Sequence, residues 1–301
     1  MYENRIDAEK YDVYLFEISN KEYYIKNKIY MLEFNNIYNI DCLEGMKDIP
    51  DKSIDCIITD LPYGSIRMSW DCVIPLDKLW HQWNRILVDN GTVLLFGSEP
   101  FSTKLRMAAL DKFKYDWIWH KPYTTGSQHA KNMPLKDYEI ISVFSKGKMN
   151  HKKLSGDMRM IYNPQGVKKC DKVIHAGDSK FGTVTTEYKS AKKQYHVNEE
   201  NYPRMILEGY GREPDSWHPT QKNVALVAYL IRTYTNVGGR ILDCCMGSGT
   251  TAVAAIRTNR NFIGFELNKE YFDKAVMRIE KEKLMQETDL FGYGDLLSEE
   301  L

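Results

Sequence analysis

Apolar residues recur along this chain with two periods, and the two periods take turns. Residues 36–40 form a short strand pattern, and 54–59 form a near-continuous apolar run of the kind a doubly covered strand shows. Leu76, Leu79, Trp80, Trp83, Ile86 and Leu87 follow at helical spacing, so an amphipathic helix is predicted over about 76–89, with Asn90-Gly91 as its stop. A buried strand is predicted at 92–96, a helix after Pro100, and strands at 115–119 and 140–144. From Lys146 to about Arg212 no period holds. The pattern then resumes with a helix over 223–234, a strand over 240–244, a glycine turn, a helix over 250–258 and a strand over 261–265. A last helix capped by Asn268 runs to about Lys283. Alternation of this kind predicts an α/β fold, a mostly parallel sheet covered by helices.

Composition changes this picture little. Apolar content of 43% and charged content of 27% are those of an ordinary globular protein, and 301 residues can bury a sizeable core. No apolar stretch nears the ~20 residues of a membrane span. The charged N-terminus carries no apolar signal core, so a cytoplasmic protein with no membrane partner is expected. Cys42, Cys56, Cys72, Cys170, Cys244 and Cys245 include no Cys-x-x-Cys pair, which predicts reduced, mostly buried thiols and no metal site. Net charge is zero, but its distribution is uneven. Residues 146–193 hold twelve Lys/Arg against four Asp/Glu, and 280–301 hold seven acids against two lysines. A polyanion-facing surface in the middle of the chain is one reading; a solvated lysine-rich insertion is the other.

Two constellations carry chemistry. Asp60-Leu61-Pro62-Tyr63 follows the 54–59 strand, and open α/β sheets bind ligands at the carboxyl ends of their strands. The set suits holding a planar exocyclic amine. The Asp60 carboxylate and the Leu61 carbonyl would accept from its two N–H bonds and localise its lone pair. Pro62 restricts Leu61 to extended backbone, and Tyr63 offers a ring for stacking. An acid and a proline after a strand also make a plain turn.

The second constellation is the segment from Asp243 and Cys244 through Gly247-Ser248-Gly249 to Thr250, a strand, glycine turn and helix start. Glycines let a backbone approach a ligand closely, and the helix N-terminus behind them favours a negative group. Glu266, 23 residues past Asp243, stands at the end of the next strand, where an acid accepts from ribose hydroxyls. An adenosine-containing cofactor is expected; a tight turn with nothing bound is the alternative. Between the two constellations lies Trp217-His218-Pro219-Thr220-Gln221-Lys222. Thr220 or Gln221 is expected to cap the next helix, Lys222 to pair with a carboxylate, and His218 to be structural.

Together these residues resemble the β class of amino-group DNA methyltransferases. Asp60 to Tyr63 is similar to their catalytic Asp-Pro-Pro-Tyr, with Leu61 in place of the first proline. The segment from Asp243 to Thr251 resembles their cofactor turn, and Glu266 their ribose acid. Pro219, Thr220, Gln221 and Lys222 resemble the segment closing over the methionine part of S-adenosylmethionine, and Asp41 an acid near its adenine. Residues 117–121 and 138–146 resemble family strands. The resemblance implies a Rossmann-like seven-stranded methyltransferase sheet, circularly permuted, with an inserted target-recognition region. The expected layout is an N-terminal extension (1–34), a catalytic half (35–146), target recognition (147–212), a cofactor half (213–285) and an acidic tail (286–301). It also implies S-adenosylmethionine as cofactor, double-stranded DNA as partner, a homodimer as a candidate assembly, and base flipping with methyl transfer to adenine N6. Cytosine N4 is the alternative, and a catalytically silent DNA-binding subunit a further one. RNA or protein-amide methylation fits Asp60 less well, and a nicotinamide oxidoreductase leaves Asp60 to Tyr63 unexplained.

Overall fold

The computed structural model describes residues 15–18, 22–25, 32–64, 72–149, 159–175 and 194–290. Met1–Leu32 is a unit of its own, in which β1 (Leu15–Ile18) and β2 (Glu22–Ile25) pair antiparallel. The second unit, Glu33–Leu301, is built on one eight-stranded sheet.

Its elements in chain order are β3 (Asn36–Tyr38), α1 (Cys42–Gly45), β4 (Ile54–Thr59), α2 (Leu76–Ile86), β5 (Leu87–Gly97), α3 (Phe101–Ala108), β6 (Phe113–Thr125) and β7 (Lys136–Ser145). Then come β8 (Lys168–His175), β9 (Gln194–Glu200), β10 (Ile206–Leu207), α4 (Val224–Tyr234), β11 (Arg240–Asp243), α5 (Thr250–Arg257), β12 (Asn261–Phe265) and α6 (Lys269–Leu290). The sheet runs β10-β6-β7-β5-β4-β11-β12-β3. Seven of these strands are the expected ones, and the two-residue β10 adds an eighth at the β6 edge. The first strand of the sheet in sequence, β3, pairs with the last, β12, so strands far apart in sequence complete one edge together.

The apolar runs are continuous because both faces of the sheet are covered. Cys56 and Ile58, Leu94 and Phe96, Trp117 and Trp119, and Ile141 and Val143 share one buried cluster with α4 and α5. Residues in the opposite phase face α2, where Trp80 meets the Phe144 ring edge-on at 5.3 Å and Trp83 at 5.1 Å.

Four expectations are corrected. Helix α2 ends at Ile86, not near residue 89, because Leu87 already pairs with Ile54 of β4; Asn90-Gly91 sits in the bulged start of β5, not at a helix stop. Only a single 3-10 turn, Ser127–His129, separates β6 from β7, which form an antiparallel hairpin from Phe113↔Phe144 to Thr125↔Lys136. The unpatterned segment holds a second hairpin, β8–β9, whose alternation is masked by charged residues on both strands. Helix α6 continues past Lys283 to Leu290, and Asn268 Oδ1 caps it by accepting from Tyr271 N at 3.1 Å. Of the thiols, Cys42, Cys56 and Cys244 are buried, Cys170 and Cys245 half-buried, and Cys72 exposed.

The topology fixes where a ligand can sit. Strands β4 and β11 are parallel neighbours, with Cys56 opposite Ile241. From β4 the sheet continues through β5, and from β11 through β12 on the other side. The chain thus diverges at the β4/β11 seam, and a crevice opens beyond the carboxyl ends of these strands.

Candidate active site

A cavity of about 860 Å³ lies at that seam. It is lined by Asp41, Asp60, Leu61, Pro62, Tyr63, Pro219, Thr220, Gln221, Lys222, Asp243, Cys244, Gly247, Ser248, Thr250 and Glu266. Five stretches far apart in sequence are therefore brought together. Gly249 is the exception. Its φ of +79° makes the turn, but a Cβ there would meet Ala275 and Ile279 of α6 at 3.4 Å, so the residue serves helix packing.

At the end of β4, Tyr63 donates its hydroxyl to Asp60 Oδ1 at 2.9 Å, and its ring stacks on Phe101 at 4.6 Å. Lys222 Nζ reaches Asp60 Oδ2 at 2.5 Å and lies 5.1 Å from the centre of the Phe96 ring. Glu139 of β7 stands 3.5 Å from the same ammonium and accepts from Lys121 of β6 through its other oxygen. Burial alone would lower the Lys222 pKa, but Asp60 and Glu139 outweigh it and hold the ammonium above its ordinary range. Burial likewise pushes Glu139 up, yet Lys222 and Lys121 keep it below the usual carboxylate value. The result is a half-buried row of alternating charge: Lys121, Glu139, Lys222, Asp60.

Sequence reasoning missed Glu139 and Lys121. Because β7 runs against its neighbours, its first residues lie at the carboxyl ends of the parallel strands, beside the last residues of β6. A charged residue breaking into an apolar strand was the available signal.

At the other seam strand, Asp243 is buried; its Oδ1 accepts from Cys245 N at 3.0 Å and its Oδ2 from the Thr251 hydroxyl at 2.6 Å. Burial pushes its pKa up to about 6. Glu266 accepts from Gly247 N and Asn268 N, both at 2.8 Å, which ties the glycine turn to the end of β12. Burial raises its pKa despite these N–H donors. Asp41 caps α1, accepting from Leu43 N at 2.8 Å, while also lining the cavity. His218 is buried, edge-on to Tyr271 at 4.4 Å, and burial together with Lys222 pushes its pKa down to about 4. The helix cap expected at Thr220 or Gln221 is supplied by Asn223, whose Oδ1 accepts from Leu226 N at 3.0 Å. Gln221 Oε1 is left buried with no protein partner.

The basic stretch is partly neutralised. Lys168 and Lys169 of β8 stand opposite Glu200 and Glu199 of β9, and Lys172 pairs with Glu200. Residues 150–158 and 176–193, which carry most of its other charges, lie outside the described residues.

Among known proteins, the DNA methylase family model of N6 and N4 enzymes matches residues 54–277. The Type II methyltransferase M1.MboII of Moraxella bovis is 27% identical over 261 residues, covering 81% of this chain and 96% of the relative. The DNA adenine methyltransferase YhdJ of Escherichia coli (strain K12) is 27% identical over 269 residues, covering 82% and 83%. Among solved structures, the M1.HpyAVI–SAM complex aligns with a TM-score of 0.54 at 24% identity, over 80% of this chain and 98% of that one. The cytosine-N4-specific PvuII methyltransferase aligns at 0.58 and 17%, over 88% and 95%. These two show the shared fold. With a family match across more than half of its length and the seam cavity where such a sheet binds ligands, this chain belongs to the N6/N4 DNA methylase family.

Proposed function

We propose that this protein methylates the N6 amine of an adenine flipped out of duplex DNA, with S-adenosylmethionine as methyl donor. The observation that carries the reading is the convergence of Asp60 to Tyr63, the glycine turn and Glu266 on one cavity. The cavity suits this cofactor. Its volume is that of a small-molecule pocket. The buried Glu266 carboxylate beside the Gly247 turn matches a ribose diol, and the unpartnered Gln221 Oε1 is an acceptor for an ammonium group. Glu266, Asp41, Gly247 and the 219–222 segment would hold the cofactor, with Asp243 fixing the turn. When bound, it supplies an electrophilic methyl group on sulfur.

The chain's own residues orient the nucleophile. Asp60 accepts one N–H of the target amine. Leu61, its side chain buried, offers its main-chain carbonyl to the other. Tyr63 is fixed against Asp60 and Phe101, ready to meet a base face. Catalysis then rests on orientation and exclusion of water, and no thiol nucleophile is required; burial raises the thiols of Cys244 and Cys245 well above their ordinary pKa. Residues 147–212 serve target recognition in this reading, and a flipped base requires the duplex as substrate. The Asp that opens the tetrapeptide and the name of YhdJ support adenine over cytosine. The Type II names of other relatives support a modification role beside a restriction activity.

The test is mass spectrometry of nucleosides after incubating unmethylated duplex DNA with enzyme and S-adenosylmethionine. N6-methyladenine is expected. N4-methylcytosine would overturn the base assignment, and Asp60→Ala should abolish the product while the cofactor still binds.

A further inference from the structure

Asp60 is not idle in this structure. Its Oδ1 receives the Tyr63 hydroxyl and its Oδ2 receives the Lys222 ammonium. An amine that is to bind Asp60 at Oδ2 therefore meets a mostly buried cation already in place. Such a cation cannot simply be released, because an unpaired buried charge is costly. The structure holds a second acceptor for it. Glu139 Oε2 is buried, has no hydrogen-bond partner, and lies 3.5 Å from Lys222 Nζ. That distance is too long for a good ionic hydrogen bond and short enough to close with a small rotamer adjustment. Lys121 occupies Glu139 Oε1, which leaves Oε2 for Lys222.

Resting on the methyltransferase reading of this site, we infer that Glu139 is a positioning residue that receives Lys222 from Asp60 when the target amine enters. In the open site Lys222 keeps Asp60 paired. As the amine donates to Asp60 Oδ2, the ammonium moves toward Glu139 Oε2 and remains charged and paired throughout. No proton is transferred in this exchange; one N–H···O hydrogen bond replaces another. The device links two half-sites, because Lys222 belongs to the segment that borders the cofactor while Asp60 belongs to the segment that holds the base. It also holds Asp60 in one rotamer until the base arrives.

Glu139→Gln tests this, since the amide keeps the shape and removes the charge that draws Lys222 away. With unmethylated chromosomal DNA as substrate, kcat should fall about 100-fold, the scale of a misplaced reacting group. The dissociation constant for S-adenosylhomocysteine should stay within about twofold, as expected for an interaction outside cofactor binding. In a Lys222→Met background, Glu139→Gln should cost almost nothing further, because Glu139 acts through Lys222. A readout independent of turnover is the Lys222 Nζ–H signal in NMR, assigned by its loss in Lys222→Met. Adding duplex DNA with S-adenosylhomocysteine should move it in the wild type and leave it in place in Glu139→Gln. If Glu139→Gln alone does not fold, the double variant removes both charges of the pair, a change buried pairs tolerate. It should then turn over no more slowly than Lys222→Met. Additive losses, or a lysine signal that moves equally without Glu139, would overturn the inference and leave the assigned activity standing. Absence of methyl transfer by the wild-type protein would overturn both.

Discussion

Asp243 is the group whose ionisation the fold resists most usefully for an experiment. It is 4% exposed, and burial raises its pKa from 3.8 to about 6. The folded state therefore binds more protons than the unfolded chain between these values, and stability contributed by this group falls as pH rises through that window. Above about pH 6 the full penalty is present. Two units at ~1.4 kcal/mol each give roughly 3 kcal/mol. Asp243→Asn removes the charge and keeps the shape. Its amide oxygen can accept from Cys245 N, and its NH₂ can donate to the Thr251 hydroxyl once that hydroxyl turns. Deducting the weaker acceptor strength of an amide leaves a net gain of about 2 kcal/mol, or a rise of about 4–8 °C in Tm. The assay is calorimetry of both proteins without cofactor at several values between pH 4 and 7.5. The variant should melt higher at pH 7.5, and the gap should close toward pH 4. A variant that melts at or below the wild type at pH 7.5, or a gap that does not change with pH, would refute this account of Asp243. The same variant should bind cofactor more weakly, which explains why a destabilising charge stands there.

Glu266→Gln should weaken cofactor binding on the order of 10- to 100-fold, since the amide keeps one acceptor oxygen where the carboxylate uses one for Gly247 N and one for Asn268 N, and the turn loses its anchor; an unchanged dissociation constant by calorimetry would remove Glu266 from the ribose role. His218 should stay neutral from pH 8 down to about 5, because its folded pKa lies near 4, below the unfolded value of 6.5; stability tied to it is then lost as pH falls through that window, and a ring titrating near 6.5 by NMR would contradict the burial argument. Gly45→Ala places a Cβ 2.3 Å from the buried Phe265 ring and should cost about 1–3 kcal/mol in denaturant unfolding; an unchanged midpoint would mean the ring has room to move. Asn223→Ala removes the α4 cap and should cost about 1 kcal/mol, and a loss below about 0.3 kcal/mol would indicate that Thr220 or Gln221 takes over the cap.

What could be read from the sequence was what depends on neighbours along the chain. Residues 54–59 and 261–265 are strands as predicted, because burial on both faces leaves a near-continuous apolar run at each. The Asp60 tetrapeptide and the glycine turn were legible because each sits directly after such a strand. Elements decided by pairing were not. Leu87 continues a helical spacing, yet it enters β5 because Ile54 offers it a ladder partner. Gly249 sits beside a ligand-facing glycine, but α6, contributed by residues further along the chain, determines what it touches.

Charge shows the same limit most sharply. Counting along the chain marks 146–193 as basic, yet β8 and β9 bring Glu200 opposite Lys168 and Glu199 opposite Lys169, and Lys172 pairs with Glu200. Lys172 is spent in a cross-strand ion pair, so a DNA-facing role falls on other cations. Its replacement should leave the salt dependence of DNA binding nearly unchanged, whereas replacing a lysine that neutralises a phosphate would flatten the slope of log K against log salt by about 0.9. At the active site the relation is inverted. Lys121, Glu139, Lys222 and Asp60 lie on four separate segments and look unremarkable one by one. The antiparallel placement of β7 between β5 and β6 carries Glu139 to the ligand edge of the sheet, and only there does a single glutamate become the counter-charge that lets Lys222 leave Asp60.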